Sequence, residues 1–419
     1  MKILLIHQNF PGQYKHLAPA LVAQGHQVVA LTCKVKEPQT WQGVHVIPYQ
    51  IKGASTPNVH PWLADFETKI LRATSCYRGA QALREQGFTP DVICAHHGWG
   101  ESMFLKDVWP DARLGLYCEL YHLTSKDFLN FDPEFPSDNP IGGKLRIRMK
   151  NLNNRLHEEI MDAGISPTRF QASTFPDHWQ DRLTVAHDGI DTDLVRPNPD
   201  AQLRVNDSLT LTRDDEVITF INRNLEPYRG YHVFMRALPD LLRRRTTAHV
   251  VMLGGDEVSY GSKPPKGKSW KQVYIDEVRD QIPEADWKRV HFLGRVPYDN
   301  FLSMIQVSRV HVYLTYPFVL SWSLLEAMSA GAAIVASDTT PVKEVMTEDE
   351  TGRMVDFFDQ KGIVDQVCAL LDDPDTRARL GGAARTMVRD LYDLRKVCLP
   401  RHLDWVAMLA DLSARPVRD

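Results

Sequence analysis

Short apolar runs and amphipathic stretches alternate along almost the whole chain. Lys2 to Ile6, Val28 to Thr32, Val44 to Ile47, Val92 to Ala95 and Leu114 to Cys118 have the length and composition of buried strands. Leu17 to Gln24, Lys69 to Glu85 and Gly100 to Val108 carry helical spacing between them. The pattern restarts at Val217 to Asn222 and continues through His249 to Leu253, Val290 to Leu293, Val312 to Leu314 and a run ending at Val335. Helices are expected over Tyr231 to Leu242, Val273 to Gln281 and Ser321 to Ser329. A strand-like Gly352 to Phe358 and helices over Ile363 to Leu370, Arg377 to Asp390 and Pro400 to Leu412 follow. Strand and helix in alternation mean mostly parallel sheets covered on both faces, so each half reads as a doubly wound, Rossmann-like α/β domain.

The two patterns are separated by Pro167, Pro176, Pro197 and Pro199 and by a polar run from Asp200 to Asp215. This gives a first domain over 1–175, a linker over 176–214, a second domain over 215–395 and a final helix over 396–419 that can pack back on the first domain. At 419 residues the chain is too long for a single core.

The stretch from Val312 to Lys343 reads as strand, loop, helix, strand, with Gly331 stopping the helix. In an open parallel sheet, such a unit puts a loop and a helix N-terminus at the carboxyl edge of the strands. Free N–H groups and the positive end of the helix dipole there suit a phosphate. Glu326, just inside the helix, is placed to accept hydrogen bonds from sugar hydroxyls.

Composition narrows the partners. The hydrophobic fraction of 43% and charged fraction of 24% are those of an ordinary globular protein, and a net charge of -4 gives no reason to expect nucleic acid. The six cysteines form no CxxC pair and read as reduced, buried thiols of a cytoplasmic protein. The N-terminus MKILLIHQNF reads as a first core strand and not a signal peptide, and no stretch reaches the roughly 20 apolar residues of a membrane span. Lys144, Arg146, Arg148, Lys150 and Arg155 lie mainly opposite Leu145, Met149, Leu152, Leu156 and Ile160 in a helical pattern. This basic helix, 144–157, is either core-facing with a solvated basic side or in peripheral contact with the inner face of a membrane. Asp127 to Pro140, rich in Asp, Pro and Phe, reads as an ordered loop or a lid.

The candidate residues sit at strand ends. The first βαβ loop, FPGQ, has one glycine and no GxGxxG spacing, so a dinucleotide fingerprint is not supported. Gly12 there either allows close approach of a ligand or facing domain or simply makes the turn. His96, His97, Trp99 and Glu101 follow one strand, and Glu119, Tyr121 and His122 follow the next. Polar, aromatic and acidic groups at such ends fit acceptor binding or acid/base work, or are loop residues satisfied locally. Arg223 and Arg229 flank a strand-to-helix loop, where two guanidinium groups can converge on a diphosphate. Gly254 and Gly255 allow close approach of a ligand or neighbouring strand, and the backbone around Arg295 and Val296 can edge-bind a base.

Taken in order, INRNLEPYRG, VVMLGGDE, HFLGRVPYDNFLSMI, SLLEAMSAGAAIVASDTTPVKEV and TGRMVDFFD resemble the nucleotide-sugar domain of the retaining glycosyltransferases of family four. AHDGIDTDLVRP is similar to that family's linker segment, with Asp188 in place of an Asn; SPTRFQ and the loop at Gly12 are consistent with the first half. The resemblance implies the GT-B architecture, two Rossmann-like domains facing across a cleft that closes around both substrates. It implies a nucleotide-diphosphate sugar as donor and a sugar, lipid-linked or other hydroxyl acceptor, with no cofactor and no essential metal. It gives Arg223 and Arg229 the donor diphosphate, with Arg229 where the family has a lysine. Glu326 then takes the ribose hydroxyls. The carboxylate that grips the donor sugar is replaced by Phe318, leaving the backbone of Val319, Leu320 and Ser321, with Ser321, Ser323 and Leu324 behind it, to supply contacts. Asp191-Thr192-Asp193 matches the Asp-x-Asp metal pattern but follows Gly189 in the linker and reads as a turn or cap. The rival readings are a nucleotide-sugar epimerase or hydrolase and a non-catalytic nucleotide-sugar-binding protein.

Overall fold

The computed structural model describes residues 1–136 and 139–413. They form two compact units, residues 1–189 with 395 onward, and 190–394.

The sheet of the first unit contains β1 (Lys2–Ile6), β2 (Gln27–Thr32), β3 (Gln39–Trp41), β4 (Val44–Pro48), β5 (Val92–His96), β6 (Arg113–Tyr117), β7 (Ala163–Ser166) and β8 (Leu183–Val185). Their order is β3-β4-β2-β1-β5-β6-β7-β8, parallel throughout except for the β3/β4 pair. Ile3 to Ile6 of β1 are fully buried because helices cover both faces of the sheet, so the strand needs an unbroken apolar run. The order reverses between β1 and β5. That switch point leaves a crevice beyond the carboxyl ends of the two strands, where the loops at His7 and His96 begin.

In the second unit a short antiparallel hairpin, β9 (Gln202–Arg204) and β10 (Thr210–Thr212), precedes a parallel sheet. That sheet holds β11 (Val217–Asn224), β12 (His249–Gly255), β13 (Val290–Phe292), β14 (Val310–Tyr313), β15 (Ala333–Ser337) and β16 (Arg353–Val355), in the order β13-β12-β11-β14-β15-β16. Here the switch lies between β11 and β14, so the loops carrying Arg229 and Phe318 start side by side.

Several expectations need correction. Residues 101–108 form successive turns and not a helix, since Gly100 takes a left-handed φ of 92° that a helix cannot continue. The basic helix breaks at Asn151 into Pro140–Lys150 and Leu152–Ile160. Its buried side is polar, formed by Asn153, Asn154 and His157 with Ile160, while Leu145 and Leu156 are exposed. The Asn151 side chain, spent on the His122 backbone, marks the break. The stretch expected as a linker is largely folded: β8 extends the first sheet, and β9 and β10 lie in the second unit. Of Asp127 to Pro140, residues 137–138 lie outside the described residues and the stretch opens on a short helix, Lys126–Leu129. Among the described residues no helix is long and apolar enough to cross a membrane.

The helix Leu399–Asp411 returns to the first unit and packs on β6 over Gly115. A Cβ at Gly115 would lie 2.4 Å from Leu409 Cδ2 and 2.6 Å from the Trp405 ring. Gly115→Ala is therefore expected to destabilise this unit by about 1–3 kcal/mol, as overpacking does. Urea unfolding checks it, and an unchanged midpoint would show that the helix does not bear on the sheet.

Candidate functional site

In the first unit, residues from three strand ends meet at the switch point. His96 closes β5 and caps the following turn, its Nδ1 accepting the Gly98 N–H at 3.0 Å. The ring stacks on Trp99 with centroids 3.9 Å apart, and the His7 ring, just after β1, stands edge-on to the same indole at 4.6 Å. With Nδ1 accepting, a neutral His96 carries its proton on Nε2. That nitrogen is buried without a hydrogen-bond partner among the described residues. Glu119 Oε2, beyond β6, stands 3.6 Å away, an ion-pair distance too long for a hydrogen bond. Burial works against the Glu119 carboxylate, yet His96 beside it and His7 beyond hold it below the usual range. His96, Trp99 and Glu119 thus share one site with His7, which the sequence reading missed because a lone histidine after a strand carries no pattern.

The other first-unit candidates divide. His97 is buried, with Nδ1 on Asn154 Oδ1 at 2.7 Å and Nε2 accepting the Glu119 N–H at 3.0 Å. Both nitrogens are spent tying the loop after β5 to the loop after β6, so its part is to position Glu119. Glu101 is 1% exposed and accepts from Tyr49 Oη at 3.0 Å, which removes it from the site. Tyr121 is half-buried, its N–H on Thr174 Oγ1 and its ring against Phe175, while Asn151 brackets the backbone of His122. Gly12 is a turn glycine at φ 46°, so close to His7 that a Cβ would overlap the imidazole at 2.2 Å. The atoms nearest it are those of the His7 ring.

In the second unit the β11 loop turns through a short Pro227–Arg229 helix into the helix Tyr231–Arg244, with Gly230 left-handed at φ 71° against Leu314. Arg223 is exposed at the end of β11. Arg229 is only 5% exposed. Its Nη1 donates to Thr315 Oγ1 at 2.7 Å, and its guanidinium lies 5.3 Å from the Tyr260 ring and 5.5 Å from that of Phe318. The two arginines therefore differ in setting, one exposed to solvent and one buried and hydrogen-bonded. Glu226, 1% exposed, accepts the N–H groups of Ser259 and Tyr260 at 3.1–3.3 Å and so pins the loop after β12 beside Arg229. Burial pushes its carboxyl above the usual range, opposed by those amides and by Arg229. The Glu-Pro-Tyr of LEPYRG was the signal that could have exposed it.

Beyond β14, Ser321 caps the helix Trp322–Ser329, with its hydroxyl 2.9 Å from that of Ser323 and its N–H on Tyr313 Oη at 2.9 Å. Leu320 and Leu324 are core residues, and Phe318 and Val319 are half-buried. Glu326 accepts from Tyr298 Oη at 2.7 Å, a partner two residues past Val296 that the sequence reading did not single out. Gly254 and Gly255 lie against the protein itself. A Cβ would meet Leu225 at 2.9 Å and Asn224 Oδ1 at 2.5 Å, so both glycines allow the close approach of the end of β11. Arg295 turns its side chain to Glu257 and Asn224. Asp191 Oδ1 accepts the Leu194 N–H and makes a turn.

Comparison with known proteins supplies the last observations. A family model described as glycosyl transferase family 4 group matches residues 24–195, and one described as glycosyl transferases group 1 matches 205–387. The D-inositol 3-phosphate glycosyltransferase of Corynebacterium efficiens is 27% identical over 384 residues, spanning 88% of this chain and 79% of that protein. The GDP-mannose-dependent alpha-(1-6)-phosphatidylinositol monomannoside mannosyltransferase of Mycolicibacterium smegmatis is 26% identical over 233 residues, 54% of this chain and 58% of its own. Among solved structures, sucrose-phosphate synthase from Thermosynechococcus elongatus superposes with a TM-score of 0.73 at 16% identity, covering 98% of this chain and 100% of that one. Anabaena HepE in complex with UDP and glucose does so at 0.66 and 15%, with the same coverage. At these identities the structural likeness is one of fold.

The buried histidines give the first unit an acid sensitivity. Burial, with His96 next, lowers His7 to about 4; burial lowers His157 to about 4, and burial with Lys150 lowers His122 to about 3. In the unfolded chain they titrate near 6.5, so between roughly pH 6.5 and 4 the unfolded state binds more protons. Stability should fall as pH drops through that window, by about 1 kcal/mol per histidine per pH unit. Urea midpoints at pH 7, 6 and 5 test this; a flat series would mean these rings are not held neutral.

Proposed function

The chain belongs to the glycosyltransferases of family four, and from that premise we propose a retaining, metal-independent transfer of sugar from a nucleotide-diphosphate donor to a hydroxyl acceptor. The observation that carries the reading is Arg229, buried and held on Thr315 at the switch point of the second sheet, with Arg223 exposed at the end of β11 and a helix N-terminus at Ser321 beyond β14. Fixed positive charge aimed at a departing diphosphate lowers the barrier because it needs no reorganisation when the bond breaks. The glycosidic C–O bond then breaks with oxocarbenium character, and its electron pair goes to the phosphate oxygen. The acceptor oxygen attacks the anomeric carbon from the face the diphosphate leaves, and its proton passes to that phosphate oxygen. With the charge supplied by guanidinium groups, the chemistry needs no cation.

Glu326 takes the ribose hydroxyls in this reading, and Tyr298 Oη, now donating to it, holds the carboxylate in place until they arrive. In the first unit, the Nε2–H of His96, without a hydrogen-bond partner among the described residues, and the Glu119 carboxylate offer a donor and an acceptor to substrate hydroxyls. A lipid-linked acceptor is supported by the surface of the helix Pro140–Lys150. There Ile141 is 74% and Leu145 37% exposed among the exposed Lys144, Arg146 and Arg148, a pairing of apolar and basic groups that suits an anionic bilayer from the outside. Relatives bearing the names of phosphatidylinositol mannosyltransferases agree with that reading.

Arg223→Ala is expected to lower transfer roughly 100- to 1000-fold with the fold intact, measured as nucleoside diphosphate released in the presence of acceptor. A near-normal rate would sink the assignment. Equal diphosphate release without any acceptor would favour a hydrolase instead, and conversion of the donor into another nucleotide sugar with no net diphosphate released would favour an epimerase. The wild-type rate should survive EDTA; a loss restored by Mg²⁺ or Mn²⁺ would refute metal independence. Sedimentation with phosphatidylglycerol vesicles should pull down the wild type and much less of an Ile141→Ser, Leu145→Ser variant, with equal recovery counting against membrane contact.

A further inference from the structure

The loop that leaves β6 is held by side chains. Glu119 to His122 lie outside any helix or strand, yet buried side chains take the backbone of three of these four residues. His97 Nε2 accepts the Glu119 N–H at 3.0 Å, and Gln171 Nε2 donates to the Glu119 carbonyl at 2.8 Å. Thr174 Oγ1 accepts the Tyr121 N–H at 2.9 Å. Asn151 takes both the N–H and the carbonyl of His122, at 3.0 and 2.7 Å. His97, Gln171, Thr174 and Asn151 are all buried.

Two of these clamps meet at one residue. Asn154, 2% exposed, accepts through Oδ1 from His97 Nδ1 at 2.7 Å and from Asn153 Nδ2 at 3.1 Å, while its Nδ2 donates to Asn151 Oδ1 at 3.2 Å. His97 Nε2 must be bare to accept the Glu119 amide, so the ring proton sits on Nδ1 and needs an acceptor there. Asn151 Oδ1, already bonded to the His122 N–H, is steadied by the Asn154 donor. A carboxamide offers an acceptor on one side and a donor on the other, which neither leucine nor an ionised aspartate of similar size does. Asparagine is a poor helix former, and an amide taken out of water is unfavourable unless it is bonded. The helix Leu152–Ile160 nevertheless buries Asn153 and Asn154, where a helix that only packed would bury apolar side chains.

We propose that Asn154 is a positioning residue of the acceptor side, one amide that acts through His97 on Glu119 and through Asn151 on His122, and so fixes the spacing between those two side chains. The inference rests on the reading above that the first unit meets the acceptor hydroxyls. It adds a buried residue that sets where two acceptor-side groups stand, and a displacement of about 1 Å at such groups costs on the order of 100-fold in rate.

Two variants separate the bonds. Asn154→Leu loses both, whereas Asn154→Asp keeps the acceptor for His97 and loses the donor to Asn151. Amide hydrogen exchange on the full chain, read by mass spectrometry, reports the loop directly. In Asn154→Leu, exchange over residues 119–122 should be about 10-fold faster or more, with β1 and β5 unchanged. Transfer from GDP-mannose and UDP-glucose to n-octyl mannoside and to phosphatidylinositol vesicles should lose about 10- to 100-fold in kcat/KM for the acceptor, with the donor KM unaltered. A pH series adds a readout that a merely structural role would not move. Burial first, and then His96, His157 and Lys69, hold His97 well below the usual histidine range, so the wild-type ring stays neutral. The carboxylate of Asn154→Asp favours the charged ring, whose Nε2–H no longer accepts the Glu119 amide. Protection over 119–122, corrected for intrinsic exchange, should therefore fall between about pH 8 and 6 in Asn154→Asp alone. Wild-type protection in Asn154→Leu, or no acid-side loss in Asn154→Asp, overturns the inference and leaves the glycosyltransferase reading standing. A loosened loop with unaltered acceptor kcat/KM overturns it too, because the loop is then held for structure alone. Donor consumed equally with and without acceptor sinks the transfer reading instead. If the wild type glycosylates none of these acceptors, the two exchange readouts decide, and Asn154→Asp decides if the Leu variant does not fold.

Discussion

A guanidinium taken out of water must find compensation, and much of the second unit's carboxyl edge is arranged around that requirement for Arg229. Thr315 at the end of β14 accepts one of its N–H groups, and two aromatic faces take part of its charge. One of those faces, Tyr260, is held there by Glu226, whose own burial is offset by backbone amides of the same loop. Three strands separated in sequence, β11, β12 and β14, are thereby joined at one point. The result is a charge fixed where an anion can meet it, with little freedom left to lose on binding.

The first unit meets a similar constraint with neutral groups. His97, buried with both nitrogens engaged, ties the loop after β5 to the loop after β6, and Asn154 supplies the acceptor that sets its tautomer. His96, stacked between Trp99 and His97, is left with one nitrogen unspoken for at the crevice. Adjacent histidines in one tripeptide thus do opposite things. Successive residues leaving a strand point to opposite sides, so one turns to the core and the other to the site.

Much of this organisation was legible along the chain. Repeated strand and helix patterns gave two doubly wound halves, and the ordered motifs of the second half carried the family. The strand-end loops were marked by their residue types, which singled out Arg223, Arg229, Glu326, His96 and Glu119 as candidates. For other residues the folded neighbours narrowed alternatives that local pattern left open. Gly12, Gly254 and Gly255 do mark close approaches, but the approaching atoms belong to His7, Leu225 and Asn224. Glu101 stands among polar and aromatic residues in sequence yet turns inward to Tyr49. A glycine announces that something is near, and an acid that something must neutralise or solvate it; neither says which neighbour it is.

The sequence by itself determined the alternation of elements, the strand ends that bear charge and the absence of a dinucleotide fingerprint. These follow from local composition and periodicity, which act over a few residues. Only the tertiary structure decided which strand ends lie next to one another. The switch points between β1 and β5 and between β11 and β14 bring together residues up to about ninety positions apart, through the order in which parallel strands pair. Glu226, Tyr260, Thr315 and Tyr298 acquire their meaning from that pairing alone. Each satisfies a polar or charged group contributed by a distant segment, and no local pattern records such a debt.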